Sequence, residues 1–139
     1  MLDIIVKLLA IYHYAKDIHY HAHGENFYAI HLLMDRICEN IHDQIDAINE
    51  VGYLGRVKEA PHSADVLKVA QAIIPELEEE DWRNISNLDL LITDTIDSIS
   101  NAEIGEISGI QSLLDDIQKT LLQKRGLLAQ TVNLKMFNS

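Results

Sequence analysis

One cysteine, two prolines, six glycines and one tryptophan are all that 139 residues contain of the types that staple or punctuate a chain. The lone Cys38 excludes an internal disulfide framework and suits a reducing, cytoplasmic setting. The few prolines and glycines leave long stretches free to run as helix. Basic residues are also scarce: 11 stand against 22 acidic ones, a formal charge of −11. That balance opposes non-specific binding to nucleic acid, whose phosphates need Lys and Arg. It is compatible with a surface that attracts cations. No segment approaches the roughly 20 apolar residues of a membrane span. The opening stretch LDIIVKLLAIYHYAKD has no basic leader and no small-residue cleavage site, and Asp3 and Lys7 break its apolar run. It reads as a mature helix. With 47% hydrophobic residues, the chain can bury a core as one domain, residues 1–139.

What is present is helical periodicity. Ile4, Ile5, Leu8, Ile11, Tyr12, Ala15 and Ile18 form one stripe at spacings of three and four. Gly24 breaks that helix, and Glu25-Asn26 opens a second with the stripe Phe27, Ile30, Met34, Ile37, Cys38, Ile41, Ile45 and Ile48. The second helix is expected to run to about Val51 and to end at Gly52 and Gly55. Pro61 and Ser63 start a short helix with Leu67, Ala70 and Ile74 inward. Pro75 fits the first turn of a third long helix, with Glu76 to Asp81 complementing its dipole. Leu88, Leu91, Ile92, Thr95, Ile96 and Ile99 continue its apolar face. Asn101 and Gly105 mark a break, and Ile107, Ile110, Leu114, Ile117, Leu121 and Leu128 give a fourth. The expected class is all-α: a four-helix bundle with a short extra helix between helices two and three.

Histidines crowd one stretch. HYHAHGENFYAIHLLMD, residues 19–35, holds His19, His21, His23 and His31, four of the chain's seven. On the second helix His31 and Asp35 are spaced i, i+4, and so are Asp46 and Glu50. Each pair projects from one face. Eleven residues separate Asp35 from Asp46, close to three whole turns, so both pairs share nearly one face. A straight helix would hold them about 16 Å apart, too far for one metal. The pairs are, however, symmetric about the Asn40–Ile41 peptide. Two copies packed antiparallel about that midpoint would set each His31/Asp35 pair against the partner's Asp46/Glu50 pair, making two identical sites at an isologous interface. His19 could reach the same place once the chain turns at Gly24. Two imidazoles and three carboxylates suit iron, manganese or zinc better than calcium or magnesium. A site within one bundle is excluded, because no His follows His62 to serve the third and fourth helices.

The same residues carry a family resemblance. His19, Gly24, Asn26, Phe27, His31, Asp35, Asp46 and Glu50 fall without a gap on the signature of the Dps family, the mini-ferritins, and Lys16 matches a lysine common there. The stretch LLDDIQKTLLQKRGLLA is similar to the family's last helix. The resemblance implies a ferritin-like bundle and a hollow dodecamer built from two-fold dimers. It implies Fe(II) oxidation by peroxide or oxygen, with ferric mineral stored inside. His19, His31 and Asp35 would come from one subunit and Asp46 and Glu50 from its neighbour. Acid-lined pores would lie near Asp94, Asp97, Glu103 and Glu106.

Some positions depart from the pattern. Tyr20 stands where the family usually has Trp, His21 where it has Asn, and His23 at a basic position. The extra imidazoles leave the metals per site open. A Lys-rich DNA-binding tail is not present, and the last residues read NLKMFNS, so no direct DNA binding is expected. Two rival readings stay open. One is a catalytically inactive helical protein that holds zinc or manganese. The other is a purely structural oligomer whose i, i+4 pairs are ordinary surface features. Cys38 reads as a core thiol. His13, His42 and His62 read as surface residues, and Trp82 as an interface anchor or core.

Overall fold

The computed structural model describes residues 1–132. Among them the chain is helical, with no strand. The helices are α1 (Leu2–His21), α2 (Phe27–Cys38), α3 (Ile41–Ala47), α4 (Ser63–Ile73), α5 (Asp81–Ser100) and α6 (Ser108–Val132). A π-helical segment, Ile48–Tyr53, extends α3, and a short 3-10 turn, Leu54–Arg56, follows. The stretch NLKMFNS lies outside the described residues.

Burial explains the arrangement. The α1 stripe Ile4, Ile5, Leu8, Ile11, Ala15 and Ile18 is buried, and so are Val6, Ala10 and Tyr14 between its members. A helix apolar on more than one side must be covered on more than one side. Accordingly α1 packs against α2, α4 and α5, while α6 closes the group against α5 and α2. The result is a helical bundle with α4 laid over α1. Short connections make α1 and α2 neighbours, and likewise α5 and α6. No helix among the described residues is long and apolar enough to cross a membrane.

The expected second helix is not continuous. It stops at Cys38, and α3 begins at Ile41. Glu39 is extended (φ −56°, ψ 135°) and Asn40 is left-handed (φ 66°, ψ 0°). Asn tolerates that region better than other non-glycine residues, and the helical ladder cannot pass through it. The apolar stripe bridges the interruption, because Ile37 and Ile41 are both fully buried on either side.

The third long helix also starts later than the sequence implies. Residues 74–80 are not helical, and α5 opens at Asp81. The buried Asn84 explains why. The Glu78 N–H donates to Asn84 Oδ1 at 2.8 Å, and Asn84 Nδ2 donates to the Glu78 carbonyl at 2.9 Å. Tyr14 O–H donates to the same Oδ1 at 3.1 Å. A side chain therefore supplies the partners that a helical turn would have supplied. In α4, Val66 and Ala70 face inward, whereas Leu67 is exposed.

Candidate metal centre

The chain leaves α1 at Ala22 and turns at Gly24, whose φ of +82° suits glycine. The turn sets the last turns of α1 beside the start of α2. It brings His19 and His31 together, their rings stacked with centroids 3.6 Å apart and planes 17° apart. Each ring is tied to the other residue's backbone. His19 Nδ1 lies 2.7 Å from the His31 carbonyl oxygen, and His31 Nδ1 lies 2.8 Å from that of His19. A carbonyl only accepts, so each Nδ1 carries the hydrogen. In the neutral imidazoles the lone pair then sits on Nε2 in both residues. This is the hydrogen-bonding pattern of ligating histidines, whose second nitrogen is held by a carbonyl or carboxylate. His19 is buried and His31 partly so.

Asp35 stands beside this pair. Its Oδ1 is 3.6 Å from His19 Nδ1 and accepts a hydrogen bond from Lys16 Nζ at 3.3 Å. Slight burial is the largest single influence and works against the Lys16 ammonium, but the bond to Asp35 and the charges of Cys38, Asp35 and Tyr12 together outweigh it and the lysine pKa is raised. The Phe27 ring packs 5.1 Å from that of His31. Tyr28 and Leu32 flank the pair on the exposed side of α2, and both lie open to solvent.

Asp46 lies in α3 and Glu50 in the π-helical segment, and both are exposed. Neither side chain has a hydrogen bond or ion pair among the described residues. The straight-helix spacing of about 16 Å does not apply across the break at Glu39 and Asn40, which falls on the peptide about which the two pairs are symmetric. No three His, Cys, Asp or Glu side chains of one chain converge to hold a metal ion among the described residues. The structure thus joins His19 with His31, sets Asp35 beside His19, and shows no contact of Asp46 or Glu50 with them.

The other histidines are placed as surface groups. His21 and His23 are exposed, with His21 Nδ1 against the Asp17 carbonyl and His23 beside Asp81. His13, His42 and His62 are exposed too. Cys38 is buried, and burial pushes its thiol up to about 11. Trp82 is 44% exposed, which removes the core reading.

One residue near the site went unnoticed in the sequence. Lys124 of α6 is only 6% exposed, and its Nζ donates to the Glu39 carbonyl at 2.8 Å, at the break between α2 and α3. The signal was available: Lys124 continues the run Leu114, Ile117, Leu121 and Leu128 at spacings of three and four. No protein-family model matches the chain, and neither does any curated protein or solved structure.

Proposed function

We propose that this chain is a Dps-type mini-ferritin subunit, a ferroxidase that oxidises Fe(II) and stores the ferric product. The observation that carries the reading is the His19/His31 pair. Two stacked imidazoles are each locked through Nδ1 to a carbonyl and each keep Nε2 for a metal, with Asp35 at their side. In this reading the fold is ferritin-like. Asp46 and Glu50 of a second copy complete each site across a two-fold axis, and the two-fold dimers build a closed homo-oligomer, a dodecamer by the family resemblance. The exposed Tyr28 and Leu32 beside His31 fit a surface that another subunit covers.

Fe(II) is the substrate. The five residues supply two neutral nitrogen donors and three carboxylates, and hard oxygen donors favour Fe(III) as it forms. With peroxide as oxidant, two Fe(II) ions give one electron each, the O–O bond breaks, and two protons complete two waters. Zinc or manganese could occupy the same donors without turnover.

One observation favours the other alternative, a purely structural oligomer: the Lys16 ammonium already pairs with Asp35. Aerobic addition of Fe(II) separates the readings. Wild type should oxidise it fast to a soluble ferric product, and Asp35→Ala/Glu50→Ala should lose the activity. Equal, slow, precipitating oxidation in both would reject the ferroxidase and leave a zinc-type or structural site.

A further inference from the structure

The interruption of the second helix lies midway between the two halves of the proposed centre. His31 and Asp35 ride on α2, and Asp46 and Glu50 ride on α3 and its π-helical extension. Glu39 and Asn40 join the two segments. Whatever fixes those two residues fixes how far apart the halves stand and how they are turned.

Helix α6 grips the junction at two points, one turn apart on its own axis. Lys124 Nζ donates to the Glu39 carbonyl at 2.8 Å. One turn earlier, Thr120 Oγ1 accepts from Gln44 Nε2 at 2.8 Å. The first bond lies on the α2 side of the left-handed Asn40, the second on the α3 side. Helix α1 adds a third point, where Cys38 Sγ–H donates to the Tyr12 carbonyl at 3.6 Å. The Glu39 carbonyl has left the helical ladder, so the lysine supplies its donor.

Resting on the ferroxidase reading, we propose that Lys124 is a positioning residue of the shared centre: its bond to Glu39 sets the angle between α2 and α3, and so the spacing at which two copies can close two sites. It touches neither iron nor ligands. A buried ammonium is costly to keep, and burial lowers the Lys124 pKa to about 8. Stability and positioning can therefore be pulled apart. An apolar side chain of similar length removes the cost of burying charge and also removes the grip on Glu39.

Lys124→Met tests this, with Co(II) as a spectroscopic probe and Fe(II) oxidation as the activity. The thermal midpoint should hold or rise. Co(II) affinity should fall about ten-fold, the scale of losing a residue that orients metal ligands, with altered ligand-field bands. Lys124→Arg keeps a cationic donor and should stay within about three-fold of wild type in affinity. A parallel fall in midpoint and affinity would reduce Lys124 to a structural role and overturn the inference. So would unchanged Co(II) binding in Lys124→Met beside an active wild type. A wild type that neither binds Co(II) nor turns over Fe(II) would instead overturn the ferroxidase reading, and this inference with it. If Lys124→Met does not fold, Thr120→Val removes the second grip and must weaken Co(II) binding in the same way; normal binding there would also reject the idea.

Discussion

His19 and His31 meet across a turn, stack, and hold each other's backbone, so both rings are fixed within the chain itself. Asp46 in α3 and Glu50 in its π-helical extension stand exposed, with no hydrogen bond or ion pair among the described residues. The first half is preorganised within the chain and is stabilised by being so. The second half gains nothing for its own fold, and in the proposed centre it would take its geometry from another molecule. Carboxylates suit that dependence, since they stay hydrated while exposed and one rotamer change adapts them to a metal. An imidazole pair whose second nitrogens must be held would lose more by floating.

The largest effect should come from exchanging halves. His31→Ala and Glu50→Ala should each abolish Fe(II) oxidation in their own homodimers. Co-expressed, they should regain about a quarter of wild-type activity, because half the dimers are mixed and each mixed dimer rebuilds one of two sites. Oxidation rates of purified co-assemblies check this, and no recovery would place the centre within one chain. The same variants should differ in stability. His31→Ala strips a ring stack and leaves the His19 carbonyl without its donor, a loss of about 1–3 kcal/mol, whereas Glu50→Ala should leave the thermal midpoint almost unmoved.

Next in size is the junction. Asn40 sits at φ 66°, where a β-branched side chain is disfavoured. Asn40→Val should cost about 1–2 kcal/mol in chemical unfolding. Asn40→Gly should cost less than about 1 kcal/mol. If Val were tolerated as well as Gly, the break would be a soft point and not a fixed angle.

That junction also shows what the residues alone can and cannot declare. The stripe of α1 is legible because each apolar position meets a neighbour at helical spacing, and all but the partly buried Tyr12 are buried. The pairing of His19 with His31 was legible from their spacing around Gly24. The break was not, because Ile37 and Ile41 keep a four-residue step across it and periodicity passes over the gap. A lysine from α6, 85 residues away, supplies the missing donor. The late start of α5 was hidden for the same reason: Asn84, six residues on, replaces the bonds of a helical turn at Glu78. In both places a side chain competes with the backbone ladder and wins, which a local pattern does not register.

The pH dependence of stability sharpens the contrast between a buried and an exposed cation. Lys124 is lowered to about 8 by burial, from an ordinary value of 10.5. Arg36 opposes its charge, while Cys38 and Glu39 favour it. Between those two pH values the unfolded chain binds a proton that the folded chain has released, so stability rises with pH. Cys38 works in the other direction above pH 9, because its folded thiol keeps its proton up to about 11 while the unfolded one loses it. From pH 8 to 9 the midpoint should therefore rise, by about 1 kcal/mol in unfolding free energy, and then level off. In Lys124→Met the rise should vanish and only the decline above pH 9 remain. A wild-type profile flat from pH 8 to 9 would mean that water reaches the ammonium.

The smallest effect belongs to Lys16, the partly exposed lysine paired with Asp35. Its Nζ lies 3.3 Å from Asp35, with 27% of the Lys16 side chain and 50% of the Asp35 side chain exposed. Water competes for both ends, so Lys16→Met should cost less than about 1 kcal/mol. The loss should also disappear in strong salt, since at 1 M the screening length is about 3 Å. The change at Lys124 should survive that salt, because burial and not screening by ions sets its size. Thermal melts of the two Met variants at low and high salt compare them directly. Equal salt sensitivity would mean that Lys124 is as open to solvent as Lys16, and that the junction is not gripped from within the bundle.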